Sequence, residues 1–180
     1  VEKMDKLTNA ILELSRLGRR TLKLEPVDPN QLVRRILDTF QHQISARGIQ
    51  VKLLPLPPVT ADLLSLEQVF SNVLDNAIKY LDPARPGEIT IGANRSHRLT
   101  TFWVKDNGRG IADADQLKIF EIYRRGAGHA DIPGEGMGMA YVRTTLRRLG
   151  GMIWCQSIPG TGSIFYFTIS NTLEKELQHD

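Results

Sequence analysis

The sequence predicts an α+β fold: a two-layer α/β sandwich in which a mixed sheet of about five strands packs against about three helices, preceded by one N-terminal helix. Three observations predict it. One strand-like run is followed by two hairpin-like pairs, and helix-period segments lie between them. In addition, 13 of the 15 glycines fall between Gly87 and Gly162, seven of them from Gly108 to Gly138. Glycine at that density marks backbone that must bend sharply or come close to a ligand. The 180 residues suit one domain of ordinary size plus a short appendage, and 41% hydrophobic with 24% charged residues is the balance of a globular chain with a real core. No apolar run approaches the roughly 18 residues that cross a bilayer, and no signal peptide precedes the first helix-like segment. The single cysteine, Cys155, excludes an internal disulfide. The net charge is +3, and the arginine pairs (19–20, 34–35, 124–125, 147–148) are scattered rather than gathered in a stripe, so no nucleic-acid partner is expected.

Met4, Leu7, Ile11, Leu14 and Leu17 repeat at spacings of three and four, a heptad-like stripe on a helix of roughly 16 residues ended by Gly18 and Arg19–Arg20. One such helix cannot bury its stripe alone, so it is expected on a partner helix or docked on its own domain. Asp28-Pro29-Asn30-Gln31 reads as a helix start, with Asp28 as cap, Pro29 at the first helical position and Gln31 reaching back. Leu32, Ile36, Leu37, Phe40 and Ile44 then form one apolar face up to Gly48. Ile49 to Leu54 is strand-like until Pro55, Pro57 and Pro58 break it. A helix capped by Asp62 is expected from Leu63 to Tyr80, burying Leu66, Val69, Phe70, Val73, Ala77 and Leu81. Glu88 to Asn94 and Leu99 to Lys105 read as a hairpin. A short amphipathic piece, Gln116 to Tyr123, leads to a helix from Met137 to Leu149. Met152 to Ser157 and Ser163 to Ser170 make a second hairpin across Pro159-Gly160-Thr161-Gly162. The tail after Asn171 is polar.

Three segments carry chemistry. Asn72, Asn76 and Lys79 lie at i, i+4 and i+7, within roughly 60° of one another on one helix face. That face borders an apolar one, so it is expected to line a cleft. Carboxamide oxygens suit Mg²⁺ held together with phosphate oxygens and water, and the lysine suits phosphate charge. Taken alone, the same pattern is also that of a solvated helix face. Asp106-Asn107-Gly108-Arg109-Gly110 follows a strand directly. A carboxylate there can accept a hydrogen bond from a base's amino group while the backbone turns beside it, although Asp-Asn-Gly also suits a plain surface turn. Gly134-Glu135-Gly136-Met137-Gly138-Met139 opens a helix, where free N–H groups without blocking side chains favour an anion such as phosphate. No Gly-Lys-Ser/Thr follows, so it is not a P-loop, and it lacks the context of a dinucleotide fingerprint.

In this order the segments resemble the ATP-binding catalytic domain of sensor histidine kinases, within the GHKL superfamily that includes gyrase, Hsp90 and MutL and shares the Bergerat fold. Phe70 to Tyr80 is similar to the family's N box, Asp106 to Gly110 to its G1 box, Ile119 to Arg125 to its F box and Gly134 to Gly138 to its G2 box. Gly150-Gly151-Met152-Ile153-Trp154 and Pro159-Gly160-Thr161-Gly162-Ser163 also match. The resemblance covers about residues 25–170, which are expected to form the catalytic domain. Residues 1–24 resemble the second helix of the dimerisation and histidine-phosphotransfer hairpin with its linker, and 171–180 are the polar tail. The resemblance implies ATP and Mg²⁺ as cofactors. Asp106 would bind the adenine amino group, with Gly108 and Gly110 shaping the pocket and Ile111 beginning a lid that runs to Pro133. Asn76 would coordinate Mg²⁺, Asn72 and Lys79 would meet the phosphates, and Arg125 would reach the terminal one. Phe120 and Tyr123 would anchor the lid. Tyr80, Gly134, Gly136, Met137, Gly138 and Met139 complete the implied nucleotide-binding set, with Met137 and Met139 where leucine is usual. Asn72, Lys79 and Arg125 are the implied catalytic residues.

In the hydrolytic relatives the Asn72 position is a water-activating glutamate. A carboxamide cannot serve as that general base, so the site is expected to hold ATP without hydrolysing it quickly. His42, His97, His129 and His179 all lack the acidic, proline-containing context of the family's phosphoacceptor, which is therefore expected upstream of Val1. The implied partners are that upstream helix, a response-regulator receiver domain and a second copy in a full-length homodimer. The implied compartment is the cytoplasm, whether or not the parent is membrane-anchored. Two alternatives stand beside this reading: a non-catalytic module that binds nucleotide or a partner helix, and a hydrolytic GHKL ATPase.

Overall fold

The computed structural model describes residues 19–121 and 138–172, together with Thr8, Leu12, Ser15 and Arg16. Seven strands and four α-helices are found among them: β1 (Leu24–Val27), α1 (Pro29–Thr39), α2 (Gln41–Ala46), β2 (Gln50–Leu53), β3 (Val59–Asp62), α3 (Leu63–Lys79), β4 (Glu88–Arg95), β5 (Leu99–Asp106), α4 (Gly138–Arg148), β6 (Ile153–Ile158) and β7 (Gly162–Ser170). Five strands form the expected mixed sheet in the order β2-β4-β5-β7-β6; β2 runs parallel to β4 and the other pairs are antiparallel. Among the described residues, helices cover one face only, which gives the two layers. Thr8, Leu12, Ser15, Arg16 and Arg19 are helical, in line with the N-terminal helix; its stripe residues Met4, Leu7, Ile11, Leu14 and Leu17 lie outside the described residues. No helix among the described residues is long and apolar enough to cross a membrane.

The helix starts follow from local chemistry. The Asp28 carboxylate accepts from the Asn30 amide at 2.9 Å and Pro29 occupies the first position of α1. Asp62 caps α3 by accepting from the Ser65 amide at 2.9 Å. These bonds satisfy amides that have no partner within the helix.

Three details differ from expectation. The helix begun at Asp28 breaks at Phe40 and resumes as α2, with the Thr39 hydroxyl donating back to the Ile36 carbonyl at 2.6 Å. β1 and β3 form a separate two-stranded antiparallel ladder that pairs Leu24 with Asp62. Each has four residues, and Pro26 within β1 hides the strand signal; it is tolerated because β1 has a partner on one side only. The described part of the amphipathic piece forms one single 3₁₀ turn, Lys118–Phe120, and another, Asp113–Asp115, precedes it.

Phe70 of α3 drives its ring edge-on between Phe102 of β5 and Phe167 of β7, with centroids 5.2 and 5.0 Å away, and all three are fully buried. Leu32, Val33 and Ile36 of α1 and Val142 and Leu146 of α4 complete the same core. The start of α3 and the end of α4 meet at Arg20. Its guanidinium pairs with Asp62 and donates to the Ser65 hydroxyl at 2.9 Å, while Arg148 donates to the Arg20 carbonyl. The two helices therefore run antiparallel. Strand alternation leaves Trp103, Tyr166 and Trp154 on the face of the sheet without helices. Trp154 and Tyr166 stack with centroids 5.3 Å apart, and Trp103 lies across Gly92, where any Cβ would fall 2.2 Å from its ring.

Candidate functional site

Asp106 is the last residue of β5 and sits on the helix-covered side of the sheet, 5% exposed. Its carboxylate accepts the Gly108 amide at 2.8 Å. Burial pushes its carboxyl up to about 6, against the downward pull of the Gly108 and Ser163 amides. Behind it, burial and then the charge of Asp106 push the Cys155 thiol up to about 12, so that thiol stays protonated.

The turn after Asp106 is held from three sides. The Tyr80 carbonyl at the end of α3 accepts the Arg109 amide at 2.9 Å. Gly108 lies so close to that carbonyl that a Cβ would fall 2.4 Å from its oxygen. Arg85 donates to the Asn107 and Gly108 carbonyls at 2.9 and 2.8 Å. On the other side the second hairpin closes in: the Gly160 amide donates to the Arg109 carbonyl at 2.7 Å. Gly110 has φ +72° and faces the Ile158 carbonyl, and Gly162 has φ +138° and faces the Asp106 carbonyl, so both positions combine a left-handed backbone with no room for a side chain.

Further along α3 stands the carboxamide pair. The Asn72 Nδ2 donates to the Gln68 carbonyl at 2.8 Å. That leaves Oδ1 directed at Gly138, the first residue of α4, where a Cβ would lie 2.7 Å from it. Asn76 is half-buried, and its carboxamide has no hydrogen-bond partner among the described residues. Lys79 is half-exposed and pairs with Asp75 at 2.5 Å, one helical turn back.

Thus α3 touches the aspartate turn at its end, through Tyr80, and the start of α4 at its middle, through Asn72. The remaining expected residues fall around them. Met139 is 6% exposed, and Phe120, 5% exposed, meets Phe165 edge-on at 6.4 Å and packs beside α4. Ile111 is half-buried against the core. Tyr123, Arg125, Gly134, Gly136 and Met137 lie outside the described residues, as does most of the expected lid. His42 and His97 are exposed, as expected of surface histidines.

Sequence reasoning missed the hydroxyls of Ser157 and Ser163, which align with Asp106 across three strands. It also missed the Arg85 clamp. Alternation along β7 would have put Ser163 on the inner face with Phe165 and Phe167, but only the strand register sets it opposite Asp106.

The residues suit a magnesium nucleotide on two observations. The Asn72 Oδ1 can approach the start of α4 only because position 138 has no side chain. Carboxamide oxygens on α3 are also donors that a hard cation accepts.

A mixed five-stranded sheet layered on helices, with α3 touching both the turn after β5 and the start of α4, is the fold of the Bergerat class of kinases and ATPases. The chain belongs to the family described as "Histidine kinase-, DNA gyrase B-, and HSP90-like ATPase", whose sequence profile matches residues 61–173. It is 38% identical over 173 residues to cyanobacterial phytochrome B of Nostoc sp., covering 94% of this chain and 23% of that protein. It is 34% identical over 172 residues to the adaptive-response sensory kinase SasA of Synechocystis sp., covering 92% of this chain and 44% of that one. The chain therefore spans less than half the length of either relative. Among solved structures, full-length ShkA in complex with AMPPNP superposes with a TM-score of 0.77 at 29% identity, over 91% of this chain and 35% of that one.

Proposed function

We propose that this chain is the ATP-binding catalytic portion of a two-component sensor histidine kinase, which transfers the ATP γ-phosphoryl group to a histidine upstream of Val1 for relay to a response-regulator aspartate. In this reading residues 25–170 form the catalytic domain, and 1–24 belong to the dimerisation and phosphotransfer region of a homodimeric, cytoplasmic kinase portion. The observation that carries it is the dual contact of α3, which meets the turn after Asp106 through Tyr80 and the start of α4 through Asn72. Asp106 accepts the adenine amino group. Asn72 and Lys79 meet the phosphates, Lys79 by exchanging Asp75 for a phosphate oxygen, and Asn76 holds Mg²⁺. When bound, the cation offsets charge that develops on the phosphates. Arg125 reaches the terminal phosphate, and Asn72, having no basic oxygen, leaves water unactivated.

Calorimetric titration with Mg·ATP tests the reading. Micromolar-to-millimolar affinity is expected, lowered at least tenfold in Asp106→Asn. With radiolabelled ATP the chain is expected to label a supplied acceptor hairpin while releasing little phosphate alone. Unchanged affinity in Asp106→Asn would remove the adenine assignment, and steady phosphate release by the isolated chain would favour the hydrolytic alternative.

A further inference from the structure

Three polar side chains stand in one row across the open end of the sheet. Ser157 on β6 pairs with Ser163 on β7, and Ser163 pairs with Asp106 on β5. The next row inward is Cys155, Phe165 and Val104. The polar row therefore borders the apolar core at this end of the sheet, and both Ser163 and Asp106 are buried there.

The Ser157 hydroxyl has three partners whose chemistry fixes every proton. The Ile111 amide, 2.7 Å away, can only donate to it. The Gly162 carbonyl, 3.0 Å away, can only accept, so it takes the one hydroxyl hydrogen that Ser157 has. Either oxygen could be the donor in the third contact, with the Ser163 hydroxyl at 2.8 Å; for all three bonds to be made together, Ser163 donates to Ser157. With its own hydrogen committed, Ser163 has only lone pairs to offer anything in the crevice. The ionised Asp106 carboxylate beside it is likewise an acceptor. Two neighbouring acceptors match an amino group and repel a carbonyl oxygen. Ser157 also ties down the segment that follows the aspartate turn: Gln116 Nε2 donates to the Ser157 carbonyl at 2.9 Å, and Ile111 hangs from the hydroxyl.

We propose that Ser157 is a positioning residue for base selection: it fixes the direction of the Ser163 hydroxyl, so that Ser163 and Asp106 together select a purine carrying an amino group over one carrying an oxo group. This rests on the nucleotide-binding reading of the crevice. Ser157 itself does not touch the base.

Calorimetric titration of the whole chain with Mg·ATP and Mg·ITP tests the proposal, because the two purines differ in bearing an amino or an oxo group at C6. The wild type is expected to prefer ATP by about tenfold or more. Ser157→Ala is expected to lower ATP affinity about five- to tenfold while changing ITP affinity less than about twofold, which collapses the ratio. Ser157→Thr, which keeps the hydroxyl, is expected to restore it. Ser157→Ala with the wild-type ratio intact overturns the proposal. Should Ser157→Ala fail to fold, Ser163→Ala carries the test: it must lose the same discrimination, and a retained ratio overturns the proposal. Where both variants fold, Ser157→Ala is expected to cost nothing further in the Ser163→Ala background, and additive losses overturn the proposal. A wild type that binds neither nucleotide defeats the nucleotide-binding reading as well, whereas a wild type that prefers ATP while Ser157→Ala keeps the ratio defeats the positioning role alone.

Discussion

Asp106 combines two demands that oppose each other. A buried carboxylate is costly, and the folded state holds its proton up to about pH 6, against 3.8 for the free side chain. Folded protein therefore binds more protons than unfolded protein between these values. Stability is greatest below pH 4 on this account and falls as pH rises through about 6, by about 3 kcal/mol in all. Asp106→Asn removes the penalty. Its melting temperature is expected to exceed that of the wild type at pH 7.5 and the difference to vanish near pH 4, as followed by circular dichroism. The same ionisation governs the proposed ligand: Mg·ATP affinity is expected to fall as pH drops below about 6, by up to tenfold per unit, because protonation removes the acceptor. A carboxylate kept here against its own cost to the fold is what a binding group looks like. The aspartate was legible from its place between a strand and two glycines. Ser157 and Ser163 were not, because their meaning depends on a register between strands separated by some fifty residues of chain.

At the scale of elements, α3 is fixed at its start by Asp62 as well as by its buried face. Burial raises the Asp62 carboxyl, but hydrogen bonds from the Lys23 amide, Arg20 and Ser65 outweigh it and hold the group at about 2. Its contribution is present above the unfolded value of 3.8 and lost as pH falls towards 2. Asp62→Ala is expected to cost about 2 kcal/mol at pH 7, a fall of about 4–8 °C in melting temperature, with the deficit shrinking below pH 4. Scanning calorimetry across pH checks both size and sign. Caps of this sort were readable in the sequence because they act within three residues. The β1–β3 ladder was not: four-residue strands carry almost no alternation, and their pairing joins Leu24 to Asp62 across a whole helical segment. The break at Phe40 was hidden too, since its apolar face continues unbroken from Leu32 to Ile44.

At the scale of the molecule, the sheet divides two kinds of surface. One face is covered by α1, α3 and α4 and carries Asp106 and the two serines at its open end. The other carries Trp103, Tyr166 and Trp154 across neighbouring strands. The two hairpins and one earlier strand were foreseeable, while the order of the strands and the parallel pairing of β2 with β4 needed tertiary contacts to appear. The chain has two tryptophans, and both belong to this second surface, on the far side of the strands from the crevice. Its natural emission is thus a gauge of whether the sheet is intact and nearly blind to what occupies the opposite side. Adding saturating Mg·ATP is expected to move the spectrum by no more than about 1–2 nm, whereas urea should shift it to the red in step with circular dichroism. An optical titration of ligand here would need a fluorescent nucleotide, because both tryptophans look the other way.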